Sequence, residues 1–517
     1  MSPNAPAPDR RIDPTTIVSP EDPMSPVSAV LEAEVPLDDE GVIRSGKLAG
    51  LSINQAIRVL AWPVLIQQVM AACVGLVDKM VAGSLPDGVA TPALDGIGIG
   101  AYVGWFIGIA LMGVGVGAQA IIARAMGAGD PAQAQVVAGR GLALGLAWGT
   151  LVGIGLWFAV VPLAELCELR GRSAEFCIQY TRINALAMPF LSVMSIGSMI
   201  LHGAGETTKP SVISAWVNVV NVVLSILLSG VEMRLGSVRL PNLLGIDATE
   251  WGVSGIAIGT GIGYAVGAWM TWRVLRNGVK DLRLERHDVR LDRTVTWRIA
   301  RVGIPNFFEG VTLWAVNLFV MAFIGMISVA EGLDGVPRQG LVGAHMIAVQ
   351  WEAFSFLPGF AMGTAAGALA GQFLGAGSAS KARTAIWRCN AIGMAIMGAF
   401  GIAFMTLGEP LTRIISEDPV HLQEVPDLLF TCGIIQVFFA MAMVIRNGIR
   451  GAGDTTWVLA ITFVSCYGLR LPLAWLLGVK MGKGLAGIWI GLCAELAVRG
   501  LLFLARFLHG GWARVKV

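Results

Sequence analysis

The string His202-Gly-Ala-Gly-Glu-Thr-Thr208 returns as Arg450-Gly-Ala-Gly-Asp-Thr-Thr456, 248 positions further on. Gly127-Ala-Gly129 returns as Gly375-Ala-Gly377 at the same offset. Two separate matches at one spacing mean a duplication that covers most of the chain. A period this long is no solenoid, so the fold must be built of two like halves. The offset drifts toward the ends of each half, with Pro63 matching Pro305 at 242 and Gly252 matching Gly484 at 232. Different loop lengths account for the drift, chiefly a longer connection in the first half near residues 230–250.

The halves are too apolar to be soluble. Of 517 residues, 55% are hydrophobic and only 14% charged, where a soluble domain carries about 25% charged residues. Most of the exterior must therefore face a lipid bilayer. A net charge of +2 gives no reason to invoke nucleic acid. An apolar chain made of two like halves points to a secondary transporter before anything else.

About 20 apolar residues span the hydrocarbon as a helix. Twelve such stretches are expected, at 56–83, 95–123, 133–162, 176–201, 209–230 and 251–274, then at 299–328, 341–373, 383–408, 428–449, 455–479 and 484–507. The fold class is thus an all-α polytopic membrane protein. Six spans per half is an even number, so the repeats are parallel, related by an axis along the membrane normal. Residues 1–47 hold eight prolines and mixed charge and are expected to be a disordered tail. The first lobe then covers 48–275, a basic linker 276–298, the second lobe 299–508 and a short tail 509–517. The side that carries the linker and both termini holds 24 Lys and Arg against 11 on the other. Both termini are therefore expected in the cytoplasm. Cys167 and Cys177 flank a polar loop, and a disulfide between them is open.

Intramembrane acids are functional candidates because an ionised carboxylate is expensive in hydrocarbon. Asp78 lies toward the outer end of the first span. Glu309 follows Pro305 by one turn, where a proline-freed carbonyl can help hold a cation. No partner stands within its own helix, so its loss is expected to impair transport rather than stability. Glu352 and Glu495 fall near mid-bilayer, and Arg499 stands one turn from Glu495, a spacing that suits an ion pair. Arg470 is a buried cation able to neutralise one of these acids. Asn184, Asn218, Asn221, Asn317, Gln67 and Gln68 offer uncharged contacts, and Trp62, Trp105, Trp314 and Trp351 are candidates to line a cavity. No phosphate-binding loop, zinc motif or nucleophile set is present, which argues against ATP drive and against an enzyme.

The chain resembles the multidrug and toxic compound extrusion (MATE) family. The matching strings are Trp62-Pro63 with Gly75-Leu-Val-Asp-Lys-Met-Val-Ala-Gly83, then Gly117-Ala-Gln119 with Met126-Gly-Ala-Gly-Asp130, and Gly203-Ala-Gly-Glu-Thr207. The second half adds Gly303-Ile-Pro305, Gly371-Gln372 with Leu374-Gly-Ala-Gly377, Arg450-Gly-Ala-Gly-Asp-Thr455 and Gly487-Ile-Trp-Ile-Gly491. The resemblance implies two six-helix lobes around a central cleft and alternating access. It further implies a monomer in a prokaryotic plasma membrane that exports cationic amphipathic compounds in exchange for H⁺ or Na⁺, with no cofactor beyond the coupling ion. By the same resemblance Asp78 falls on the first-helix coupling Asp, and Glu309 looks like the seventh-helix Glu of the sodium-coupled branch, so both are candidate Na⁺ ligands. The tenth-helix Asp of that branch has no counterpart, since Gln436-Val-Phe-Phe-Ala-Met-Ala442 occupies the region. Export of one dedicated metabolite or of a lipid-linked glycan on the same scaffold is the alternative.

Overall fold

The computed structural model describes residues 42–86, 88–166, 170–235, 238–240, 242–332, 336 and 338–517. Twelve long helices are present among the described residues. In the first half they are α1 (Ile53–Gly83), α2 (Ala90–Ala128), α3 (Pro131–Leu166), α4 (Arg172–Gly203), α5 (Thr208–Ser229) and α6 (Ala248–Asn277). The second half has α7 (Arg293–Ala330), α8 (Leu341–Gly375), α9 (Ala379–Thr406), α10 (Pro419–Gly451), α11 (Thr455–Lys480) and α12 (Gly484–His509). Among the described residues, eleven are long and apolar enough to cross a membrane. The remaining one, α1, has side chains at 71–76 that lie outside the described set. The protein is thus a multi-pass membrane protein with the expected helical plan. Elements that were not foreseen include a short helix, Gly408–Ile415, and a pair of antiparallel three-residue strands, Met233–Leu235 and Val238–Leu240.

Packing repeats as the sequence does. In the first half α2 packs on α3 and α4, α4 on α6, and α1 on α5. In the second, α8 packs on α9 and α10, α10 on α12, and α7 on α11. Between the halves α2 meets α7 and α8, and α1 meets α8, which is what a pseudo-two-fold axis running between α2 and α8 requires.

The duplicated glycine motifs sit where backbones touch. A Cβ on Gly127 of α2 would run into the carbonyl oxygen of Gln372 of α8, and one on Gly375 of α8 into that of Arg124 of α2. Arg124 and Gln372 are themselves 248 apart, so the two contacts are copies related by the axis. The side chains of the same two residues tie the lobes together. Arg124 Nη2 donates to Ala452 O at 3.1 Å, and Gln372 Nε2 donates to Gly203 O at 2.9 Å. Close approach of backbones at small residues is the usual way membrane helices pack.

Residues 42–47, expected to belong to the tail, are packed against the helices. Ile43 is buried, Gly46 N donates to Asp281 Oδ2 at 2.8 Å, and Lys47 Nζ reaches Glu206 Oε1 at 3.2 Å. The remainder of the tail, 1–41, lies outside the described residues. Between α6 and α7 the chain is not a bare solvated linker, because Leu282 and Leu284 are buried in the core of the first lobe. Cys167 lies outside the described residues, and Cys177 is buried in α4.

Candidate functional site

Asp78 sits five residues from the end of α1, on the face turned toward α4, α5 and α6, and is 2% exposed. Each of those helices sends it a polar side chain. Tyr180 Oη of α4 donates to Oδ2 at 2.8 Å. Asn221 Nδ2 of α5 donates to Oδ1 at 3.2 Å. Thr260 Oγ1 of α6 lies 3.1 and 3.0 Å from the two carboxylate oxygens and accepts from Asn221 Nδ2 at 2.7 Å. No Lys or Arg pairs with the carboxylate among the described residues. Among the described residues, the Asp78 carboxyl is therefore met by neutral polar groups. One acceptor in the shell is unused, since Asn221 Oδ1 has no hydrogen-bond partner.

The second-lobe acids have a different setting. Glu309 of α7 is 2% exposed and faces α10. Arg446 Nη1 donates to its Oε1 at 3.1 Å, Arg450 Nη1 lies 3.8 Å from Oε2, and Thr462 Oγ1 of α11 donates at 3.3 Å. Arg450 also donates to Asn306 Oδ1 at 2.8 Å and to Asn447 Oδ1. Reading Glu309 from its own helix alone missed this, because both cations come from α10. Arg446 and Arg450 stand one turn apart there, and Arg450 opens a duplicated motif, which was the available signal.

Glu495 of α12 is wholly buried. Arg470 of α11 clasps its Oε2 from Nη2 at 2.7 Å and from Nε at 2.9 Å. Arg499 Nε lies 3.2 Å from Oε1 but off the hydrogen-bonding line, so that contact is electrostatic. The Glu495–Arg499 pairing read from spacing is present, and Arg470 is the closer partner. Glu352 of α8 is half-buried and makes no side-chain hydrogen bond among the described residues.

The partners of Asp78 among the described residues thus include none of Glu309, Glu352 and Glu495, and Glu495 sits between Arg470 and Arg499. Of the other residues singled out, Gln67 Oε1 meets His202 Nε2 at 3.1 Å, while Asn184 and Asn218 bond the carbonyls of Tyr180 and Ser214 in their own helices. Trp62 is 66% exposed. Trp351 donates to Leu411 O at 3.2 Å, Trp314 packs on Phe106, and the side chain of Trp105 lies outside the described residues. Tyr180 and Thr260 carried no sequence signal, being a lone phenol and a lone hydroxyl in long apolar runs. Among the described residues no group of three or more His, Cys, Asp or Glu is arranged to hold a metal ion.

Comparison with known proteins agrees with this architecture. The family description that matches is MatE, over residues 63–227 and 305–476. A probable multidrug resistance protein NorM of Thermotoga maritima is 26% identical over 473 residues, covering 90% of this chain and 94% of that protein. The multidrug resistance protein PmpM of Pseudomonas aeruginosa is 24% identical over 475 residues, covering 88% and 92%. A solved structure described as an outward-facing multidrug resistance MATE family transporter of the MOP superfamily superposes with TM-score 0.78 at 20% identity, covering 90% of this chain and 98% of that one. With both halves matched separately and in order, the chain belongs to the MatE family of membrane transporters.

Proposed function

We propose that the chain exports cationic amphipathic small molecules in exchange for protons, with Asp78 as the exchange site. The observation that carries this reading is the shell around Asp78. It is a buried carboxyl with no basic counter-ion among the described residues, held by hydroxyl and amide donors from three helices. Such a group must be neutralised by whatever cation reaches it, and a proton and a cationic substrate compete for the one charge. A proton fits the shell with one adjustment, in which the Asn221 amide turns over and its unused Oδ1 accepts from the protonated carboxyl. A bare Na⁺ would face hydrogens from Tyr180 and Asn221. At Glu309 a sodium ion would have to displace two guanidiniums, which argues against a sodium site there. Curated relatives named as multidrug resistance proteins support the substrate class.

The test is uptake of a cationic dye into everted vesicles under separately imposed H⁺ and Na⁺ gradients. The expected outcome is transport driven by the proton gradient alone and abolished by Asp78→Asn, with the variant still inserted and folded. Transport by the Asn variant at the parental rate, or drive by sodium alone, would sink the reading.

A second reading has an observation behind it. The second lobe places Arg446, Arg450, Arg470 and Arg499 at or near its core, and a cation-rich cavity suits an anionic glycan lipid. Glu309 and Glu495 are ion-paired with those arginines, which favours the organic-cation reading. Competition of dye transport by an anionic lipid-linked sugar, with none by organic cations, would reverse the preference.

A further inference from the structure

We propose that a groove between α7 and α11 binds an anionic phospholipid, with Arg301 on its phosphate and an acyl chain along the groove.

Most of the circumference of α7 is taken up by other helices. Gly303 and Gly310 lie against α2, where a Cβ would run into Gly113 O and the Ile109 side chain respectively. Glu309 turns to α10 and α11, through Arg446 and Thr462. What remains is a stripe of exposed side chains: Arg293, Trp297, Arg301, Ile304 and Phe308. Spacings of three and four residues keep them on one face of the helix. The stripe changes character along its length. It begins with cations around an indole and continues with apolar side chains. A bilayer presents headgroup, interface and hydrocarbon in that order.

Phe308 is also one wall of a cavity of about 480 Å³, whose opposite wall is α11 through Thr456, Leu459, Ala460, Phe463 and Val464. The cavity is almost wholly apolar. The contact between Glu309 and Thr462 fixes the relative level of the two helices. They run in the same direction, being four spans apart. Arg301 lies eight residues before Glu309, and Thr456 six before Thr462. The Arg301 backbone therefore stands about 3 Å beyond the mouth of the groove at Thr456. On the α11 side the mouth has Trp457, half exposed, with the Arg506 guanidinium 4.8 Å above its ring.

Charge complementarity selects the occupant. Arg506 is committed to Asp454 at 2.7 Å. Arg301 and Arg293 have no hydrogen bond or ion pair among the described residues. A free guanidinium at the interface suits a phosphate, to which it can donate two parallel hydrogen bonds, and basic residues there attract anionic lipid. An apolar groove that continues from the cation suits an acyl chain and offers nothing to a soluble phosphate. A chain seated there packs α7 against α11 at the level of Glu309.

The test is lipid retention by the purified full chain in detergent, read by native mass spectrometry, with melting temperature as a second readout. The probes are phosphatidylglycerol and phosphatidylcholine with the same acyl chains. The expected result is retention of phosphatidylglycerol with a raised melting temperature, and neither effect with phosphatidylcholine. Arg301→Gln should lose both effects. Ala460→Trp, which fills the groove and leaves every charge in place, should lose them too. Arg413→Gln, at another exposed arginine, should keep them. Equal retention of the two lipids, or undiminished retention in either groove variant, overturns the proposal. Equal stabilisation by glycerol 3-phosphate would overturn it as well, since the site would then take a soluble phosphate. So would displacement of the lipid by a cationic dye, which would make the groove part of the substrate path.

Discussion

Gln67 and His202 occupy in the first lobe the repeat positions that Glu309 and Arg450 occupy in the second, at the same offsets of 242 and 248. Both pairs are in contact, at 3.1 and 3.8 Å. The contact has been kept while its charge has not: one lobe uses a neutral amide and imidazole, the other a carboxylate and guanidiniums. The asymmetry runs the other way at the outer end. The repeat positions of Asp78, Tyr180 and Thr260 are Val320 and Leu428, buried in the apolar core of the second lobe, and Leu492, half-buried against it. The glycine contacts that set helix spacing are symmetric, and the ionisable groups are not. The repeat therefore fixes a scaffold, and each lobe carries its own chemistry in side chains that the scaffold tolerates either way.

The comparison predicts where stability depends on charge. Glu495 is the most committed acid, wholly buried between two arginines. Removing one partner of a buried pair leaves an uncompensated ion and costs about 3–5 kcal/mol. Glu495→Gln should show the largest fall in melting temperature in detergent. Adding Arg499→Met should restore part of it, with the remainder owed to Arg470. A Glu495→Gln variant as stable as the parent would mean that the second lobe does not depend on its ion pairs.

Glu309→Gln comes next. From sequence alone it was expected to damage transport without damaging stability. The arginines of α10 change that expectation, and loss of one charge-assisted hydrogen bond costs roughly 1.5–3 kcal/mol. The sharper experiment moves the charge between lobes. Gln67→Glu alone should destabilise, because His202 is a poor partner for a buried carboxylate. Adding His202→Arg should recover part of the loss, giving a favourable coupling energy in a double-mutant cycle. Independent effects of the two substitutions would show that the matching positions are not equivalent in environment.

How far the sequence could be read follows from the same division. The glycine motifs were legible because backbone contact tolerates almost no substitution, and both copies survive at one offset. Helix number and length were legible because lipid demands long apolar runs. Asp78 was legible as a lone acid in such a run, with the family resemblance adding the expectation of a coupling role. Its shell was not, since Tyr180 and Thr260 come from other helices and have no spacing relation to it. Glu309 was misjudged for the same reason. Spacing along one helix finds partners such as Arg499 for Glu495, and it cannot find Arg446 across a helix interface.

The smallest effect separates the first helices of the two repeats, α1 and α7, at their caps. Ser52 caps α1 in a reciprocal box with Gln55, whose Oε1 accepts from Ser52 N at 3.0 Å. Asp292 caps α7, its Oδ1 accepting from Val295 N at 2.9 Å. Ser52→Ala should cost about 1 kcal/mol, by an amount independent of pH, because neither partner titrates. The Asp292 cap titrates. The Val295 N–H, with help from Arg140, Thr294 and Arg290, holds its carboxyl below the ordinary value of 3.8. A carboxyl lowered in the folded state stabilises above its unfolded value, and that stabilisation is lost as pH falls through the folded one. The melting temperatures of the parent and of Asp292→Ala should therefore differ at neutral pH and converge below about pH 4. The gap between the parent and Ser52→Ala should stay constant over the same range. A gap for Asp292→Ala that also stays constant would mean that the first turn of α7 is held by something other than this carboxylate.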